Sequence, residues 1–161
     1  MAYEFYVTVK GAKQGVFKQE TVREKHKNKI PGVSFHYSVS SPRDAASGQA
    51  SGKRTHQPVT FVKEWGAATP QFFQALCTNE SLTEVLFEFV RTDPNGEELV
   101  YHTVKLVNAT VSEIEQYVAE DEEQDAHDVR ELEEISLTFQ RIEIESKVGK
   151  TMAADDWAQR R

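Results

Sequence analysis

A basic stretch with two glycines, Gly48 to Thr55, is the first candidate for chemistry, because glycine backbone and a lysine can together hold a phosphate. The phosphate-loop motif places four residues between its glycines, then a lysine and a serine or threonine, between a strand and a helix. Here three residues separate Gly48 from Gly52, and Arg54 stands between Lys53 and Thr55. We therefore expect a flexible basic loop and no nucleotide site.

Histidines are the next candidates, because imidazole serves both metal ligation and proton transfer. The five histidines form no HExxH pair, and no CxxC accompanies them. We expect ordinary polar residues, with a metal site assembled in space as the alternative left open. They are His26, His36, His56, His102 and His127.

The single cysteine, Cys77, could act as a nucleophile only beside a base that lowers its thiol pKa. The sequence around it supplies none, and its position predicts the apolar face of a helix. We expect a buried thiol that behaves as a small hydrophobic residue. One cysteine also excludes an internal disulfide and fits a reducing compartment.

Acidic residues crowd the segment 120–134, which holds nine acids and one base, Arg130. A calcium loop would need alternating oxygen ligands, a glycine at its sixth position and flanking helices, and this segment has none of these. We expect a solvated loop. Neither this segment nor any other predicts a catalytic centre, a metal site or a cofactor.

Composition limits the function classes further. A chain of 161 residues predicts one domain, 1–161. Its net charge of −7 argues against nucleic-acid binding, which needs clustered cations. No apolar run predicts membrane insertion, and the N-terminus shows no secretory signal. We expect synthesis in the cytoplasm and, for any export, a route without a cleaved leader.

One helix is predicted directly after the basic loop. Thr69 can cap it through its hydroxyl, and Pro70 suits the first helical position. Apolar residues then recur at helical spacing. The residues expected to pack around this helix are Trp65, Phe72, Phe73 and Leu76.

The rest of the chain reads as strands, because apolar and polar residues alternate in several short segments. Asp93–Gly96 predicts a hairpin turn, and a change of parity near Gln140 predicts a bulge or a change of face. We predict a mainly β fold. It is an antiparallel β-barrel of about seven to eight strands, with one short α-helix and a long extended loop at 40–58.

Four stretches in order carry a family resemblance. GKRTHQPVTFVKE leads through the small-residue turn to TPQFFQALCTNESL, and GEELVYHTVKLVNATV has the look of long central strands. ELEEISLTFQRIEIESKVGK follows, and the chain ends in DDWAQRR. In this order they resemble the Hcp family, the tube-forming protein of the bacterial type VI secretion system, over nearly the whole chain.

The resemblance implies a structural protein and not an enzyme. Hexameric rings would stack into an inner tube that is propelled into target cells and carries effectors in its lumen. The implied partners are further copies of the chain, sheath, spike and baseplate proteins, and effector proteins. The resemblance assigns ring-to-ring contacts to the long loop, here Arg43, Asp44, Gly48, Gly52, Lys53, Arg54, Thr55 and His56.

Two other functions remain open from the residues alone. A small β-barrel that binds or carries a ligand would need a cavity lined by apolar and a few polar groups. A hydrolase could have its site scattered over loops. The mass in solution separates these from a ring of several subunits.

Overall fold

The computed structural model describes residues 4–20, 27–120 and 129–157. These residues contain one α-helix and a set of strands, and every pair of neighbouring strands is antiparallel. The helix α1 is Thr69–Thr78. The strands are β1 Glu4–Gly11, β2 Gly15–Val16, β3 Ile30–Gly32, β4 Ser34–His36, β5 Val39–Ser40, β6 Thr55–His56, β7 Val59–Glu64, β8 Leu82–Thr92, β9 Glu98–Glu120, β10 Val129–Thr138, β11 Arg141–Ser146 and β12 Thr151–Asp156.

The strand β9 organises the sheet because its 23 residues belong to both halves of it. Its first half pairs with β8 on one side and with β11 on the other. Its second half pairs with β10, which pairs in turn with β7. A positive φ of 50° at Asn108 marks the change between the two halves.

The two edges of this curved sheet are joined by one short segment, residues 30–36. Its strand β3 pairs with β1, and its strand β4 pairs with β7. Between them, the Val33 amide donates to the carbonyl of Val62 at 2.7 Å. Consecutive residues of one segment thus connect the two edges of a barrel-like sheet, which no ladder between β1 and β7 closes among the described strands. The predicted mainly β antiparallel fold with one helix is confirmed.

Phenylalanine rings fill the space that this wall encloses. The rings of Phe35 and Phe61 each lie against Phe87, with centroids 5.0 and 5.4 Å apart. The helix adds Phe72, whose ring meets Phe61 at 6.0 Å and Phe17 at 5.0 Å. Because these side chains alternate along their strands, one face of each strand points into this core.

The start of the helix differs from the sequence prediction. Ala68 occupies the cap position and makes no side-chain capping bond, while Thr69 is already helical. The Ala68 amide donates instead to the carboxylate of Glu20 at 2.8 Å. The predicted cap by Thr69 is therefore wrong, and the Thr69 hydroxyl donates instead to the carboxylate of Glu133 at 2.8 Å.

The predicted solvated loop at 120–134 is wrong for its second part. Residues 129–134 open the strand β10, and Glu133 is completely buried. Its parity matches that of Ile135 and Leu137, which face the core. Residues 121–128 of that prediction lie outside the described residues. The predicted break near Gln140 is confirmed, since β10 ends at Thr138 and β11 begins at Arg141.

Candidate functional site

The long loop of the sequence is an ordered hairpin, Val39–His56, which projects from the barrel. The strands β5 and β6 pair at its base, and an isolated bridge joins Arg43 to Ala50. At the tip, one carboxylate oxygen of Asp44 accepts the amides of Ala46 at 2.7 Å and Ser47 at 3.2 Å. The sequence predicted a flexible loop, but residues 41–53 are exposed and still hydrogen-bonded to one another.

Glycine is used at the tip for its backbone freedom. Gly48 has φ +72°, and its amide donates to the carbonyl of Asp44 at 2.8 Å. A side chain at that φ would be strained. The glycine spacing of the sequence thus serves a turn, which accounts for the incomplete phosphate motif.

A group of four side chains fixes the hairpin to the end of the chain. This base network consists of Tyr37, Arg54, His56 and Asp155. Arg54 donates from Nε to Oδ2 of Asp155, and His56 bonds the same oxygen through Nε2 at 2.6 Å. The Tyr37 hydroxyl lies 2.5 Å from Nδ1 of His56.

The charges of the base network support one another. The hydrogen bond from Arg54 is the main reason that the pKa of Asp155 falls from 3.8 to about 2, with a further contribution from His56. Burial, and then the negative charge of Asp155, raise the pKa of the Tyr37 hydroxyl. Because Asp155 is ionised, Nε2 of His56 donates to it, and the Tyr37 hydroxyl is paired with Nδ1 of the same ring.

The residues predicted for ring-to-ring contact therefore fall into two groups. Arg54 and His56 lie at the base of the hairpin and are engaged within the chain. The others lie on its exposed part, where Asp44 is also engaged through the two amides at the tip. These are Arg43, Asp44, Gly48, Gly52, Lys53 and Thr55.

A second ionic group lies at the helix end of the barrel. This buried cluster consists of Glu20, Lys63, Thr69 and Glu133. The Lys63 ammonium lies 2.5 Å from a carboxylate oxygen of Glu133 and donates to Glu20 at 2.9 Å. The side chains of Lys63 and Glu133 have no exposed surface. The Thr69 hydroxyl donates to Glu133 at 2.8 Å.

Sequence reasoning placed Lys63 on a strand but gave it no role. Strand parity carried the signal, because Lys63 shares the buried face of Val59 and Phe61. A charged residue on a buried parity needs a partner. Its partners come from residues 43 and 70 positions away, so no local pattern could identify them.

Of the residues predicted to pack around the helix, some contact the core and some do not. Phe72 is buried and Leu76 is partly buried against the core, while Trp65 is 41% exposed but donates from its indole to the Leu132 carbonyl at 2.8 Å. Phe73 does not pack there, because 63% of it is exposed. Cys77 is also exposed, so the predicted buried thiol is wrong.

The orientation of the helix explains both corrections. Its buried residues are Phe72 and Ala75, so a narrow stripe faces the barrel. Phe73 and Cys77 stand four residues apart on the adjacent side, which faces solvent.

Across the described part of the chain, no three His, Cys, Asp or Glu side chains are grouped as a metal ion would require. His26 and His127 lie outside the described residues. His36 is exposed, and the ring of His102 lies tilted against Phe89 with the centroids 5.7 Å apart. Within residues 4–20, 27–120 and 129–157, no helix has the length and apolar character needed to cross a membrane.

The comparison with protein families decides the identity. The family model described as type VI secretion system effector, Hcp, matches residues 6–145. The chain belongs to the Hcp family. The resemblance seen in the sequence is therefore confirmed, and this Hcp protein is a secreted component of the type VI secretion tube.

Individual relatives agree in sequence and in fold. The major exported protein of Pseudomonas aeruginosa is 31% identical over 166 aligned positions, which cover 98% of this chain and 96% of the relative. A crystal structure of an Hcp protein superposes with a TM-score of 0.89 at 26% identity, covering 99% of this chain and all of that one. The secreted protein Hcp3 from Pseudomonas aeruginosa gives 0.79 at 26% identity, covering 98% and 100%.

Proposed function

We propose that this Hcp protein forms hexameric rings that stack head to tail, and that the hairpin Val39–His56 makes the contact between rings. The observation that carries the proposal is the placement of opposite charge at opposite ends of the paired strands β7 and β10: the cationic hairpin precedes β7 at one end, and the acidic start of β10 lies at the other. A contact between two different surfaces of identical subunits continues from ring to ring and so builds a tube.

Strand register supports this placement. The hairpin returns into β7 at Val59, which pairs with Leu137 near the end of β10. The strand β10 begins at the other end, where Val129 pairs with Glu120. With about 3.3 Å per residue, these two ends lie about 25 Å apart.

The second end bears the acidic part of the molecule. We call the paired segments 112–120 and 129–134 the acidic arm. Its exposed carboxylates include those of Glu113, Glu115 and Glu131. Its base, Arg130, is already bound to Glu64 at 2.9 Å. The arm therefore offers negative charge to a cationic surface.

The hairpin offers the matching cations. Arg43 and Lys53 are exposed, and neither takes part in an ion pair within the described residues. One exposed ion pair contributes only about 0–1 kcal/mol. Six such contacts around a ring would act together, so we expect stacking that is stable at low salt and weakened at high salt.

Charge reversal at the hairpin tests the proposal. Arg43→Glu with Lys53→Glu should leave rings intact by light scattering, because the hairpin stands outside the barrel. The same variant should abolish tubes in micrographs and release of the protein into the medium. Lys18→Glu, an exposed lysine near β2, is the matched control and should form tubes. Tubes of normal length from the double variant would overturn the proposal.

The remaining parts of the proposal follow from the family. The tube would contact sheath, spike and baseplate proteins and carry effectors in its lumen, and its role would be structural and not catalytic. We propose one domain, 1–161, made in the cytoplasm and then exported by the type VI secretion system. The alternative of a ligand carrier is disfavoured because phenylalanine side chains occupy the barrel interior. They include Phe5, Phe35, Phe61 and Phe87.

A further inference from the structure

The hairpin depends on its base for its direction, because its exposed residues touch little besides one another. Residues 41–53 are all exposed, and the backbone hydrogen bonds donated by Asp44, Gly48 and Ser51 all have their acceptors within the hairpin. At the base, the amide of Gln57 donates to the Ser38 carbonyl at 3.0 Å. Such a two-stranded ribbon keeps its own shape, but the ribbon alone does not determine the angle at which it leaves the barrel.

The base network joins both sides of the hairpin to the last strand. Arg54 and His56 stand two residues apart, so they project on the same side of β6, toward Asp155 on β12. Tyr37 comes from the segment that enters the hairpin and reaches the same carboxylate through His56. One carboxylate of β12 therefore holds the entering and the returning side.

The surroundings make these bonds strong. Only 4% of the His56 side chain and 24% of the Asp155 side chain are exposed. Arg54 adds a bond from Nη2 to the Asp156 carbonyl at 2.9 Å, which fixes the plane of its guanidinium. The rings of His56 and Trp157 lie 5.0 Å apart, so the chain beyond β12 covers one side of the network.

We propose that Asp155 is the positioning residue of the stacking contact: it sets the direction of the hairpin through Arg54 and His56, so that Arg43 and Lys53 meet the neighbouring ring. This inference rests on the proposed role of the hairpin. It gives Arg54 a structural role within its own subunit, in place of the predicted contact with a neighbouring ring. The strand β12 thereby becomes part of the device that sets the stacking contact.

The test measures direction and assembly separately. Cys77 is the only cysteine and is exposed, so it accepts one spin label, and Ala46→Cys adds a second at the hairpin tip. Pulsed electron resonance then gives the distribution of distances between the two labels. Labelled subunits are mixed with an excess of unlabelled ones, so that each ring holds about one labelled chain and the measured distance lies within that chain. Light scattering reports rings, and micrographs report tubes.

Asp155→Asn keeps the shape of the side chain and removes its charge. We expect intact rings, a clearly broadened distance distribution and loss of tubes. We expect hydrogen exchange of the Gln57 amide to be about tenfold faster or more, the factor that matches loss of one charge-assisted hydrogen bond. Glu145→Gln, which removes a carboxylate of β11 paired with Lys147, should change none of these.

The two sets of variants test the positioning role of Asp155 separately from the proposed role of the hairpin in stacking. If the charge-reversed hairpin loses tubes while Asp155→Asn keeps them and its narrow distribution, the hairpin makes the contact and Asp155 does not position it. If both variants stack normally, the role of the hairpin itself is wrong. Loss of tubes with an unchanged narrow distribution would also overturn positioning, because Asp155 would then act on the neighbour directly.

A second variant tests the same inference if Asp155→Asn folds poorly. Arg54→Lys keeps the positive charge but cannot donate from Nε and Nη2 together. We expect a broadened distance distribution and fewer tubes in this variant. A distribution as narrow as that of the natural protein would show that the hairpin is held in another way.

Discussion

The base network and the buried cluster use the same chemistry in different surroundings. In each, a cation meets a carboxylate from a distant part of the chain: Arg54 meets Asp155, and Lys63 meets both Glu20 and Glu133. The Asp155 and Arg54 side chains keep about a quarter of their surface exposed, whereas Lys63 and Glu133 have none. The base network joins a projecting hairpin to the last strand, while the buried cluster joins the helix to the barrel. Burial, more than geometry, should therefore decide what each contributes to stability.

The buried cluster should matter most to the folded state. Removing one partner of a buried ion pair leaves the other charge without compensation, which costs several kcal/mol. Replacing the whole group with apolar side chains can be neutral, so the cluster is not by itself a source of stability. The cluster does join four segments of the chain, through Glu20, Lys63 on β7, Thr69 on the helix and Glu133 on β10.

Lys63→Met is the largest effect that we predict. It leaves the buried Glu133 and the nearly buried Glu20 without their cation, and it should lower the free energy of unfolding by about 3–5 kcal/mol. Urea unfolding at fixed subunit concentration and pH 7 measures it. Lys10→Met is the matched control, since Lys10 is half exposed and pairs with Glu84 at 3.5 Å. A loss of under about 1 kcal/mol for Lys63→Met would contradict the contrast in burial.

The base network should show an intermediate effect that depends on pH. The pKa of Asp155 is about 2 in the folded protein, below its ordinary 3.8. A depressed carboxyl pKa stabilises the fold above 3.8, and this stabilisation disappears as the pH falls toward about 2. The difference corresponds to about 2.5 kcal/mol at most, which partial exposure should reduce to about 1–2 kcal/mol.

Comparing the natural protein with Asp155→Asn across pH measures this contribution. The two free energies of unfolding should differ at pH 6 and converge between pH 4 and pH 2. A difference that persists unchanged at pH 2 would mean that the ionised carboxylate is not its source.

The sequence predicted the local features of both regions and missed their long-range pairs. Alternation predicted β1 and β7, and the parity of Lys63 already indicated a buried position. The acidity of residues 120–134 concealed Glu133, because composition does not reveal which side of a strand a residue takes. Asp155 lies 101 positions from Arg54, so their pairing depends on how β12 returns beside the hairpin.

The helix shows a further limit of sequence patterns. Phe72, Phe73, Leu76 and Cys77 all fit an apolar face by spacing, but a helix that lies on a barrel buries only a stripe. Which stripe is buried depends on its contacts with Phe17 and Phe61, which come from other segments. The sequence thus predicted the helix and the burial of Phe72 correctly. It was wrong about Phe73 and Cys77, which are exposed.

The smallest effect should fall on that outer side of the helix, which neither ionic group touches. Cys77→Ser exchanges one exposed group for another of similar size, so the free energy of unfolding should change by no more than about 0.5 kcal/mol. A buried thiol would instead lose about 1–3 kcal/mol, because the new hydroxyl would lack a partner. Labelling gives an independent measurement: a thiol reagent should react with the folded natural protein without denaturant. Phe73→Ser is a second variant on this outer side. If either variant lowers the free energy of unfolding by more than about 1 kcal/mol, and does so only when the protein is in rings, this side of the helix contacts a neighbouring subunit.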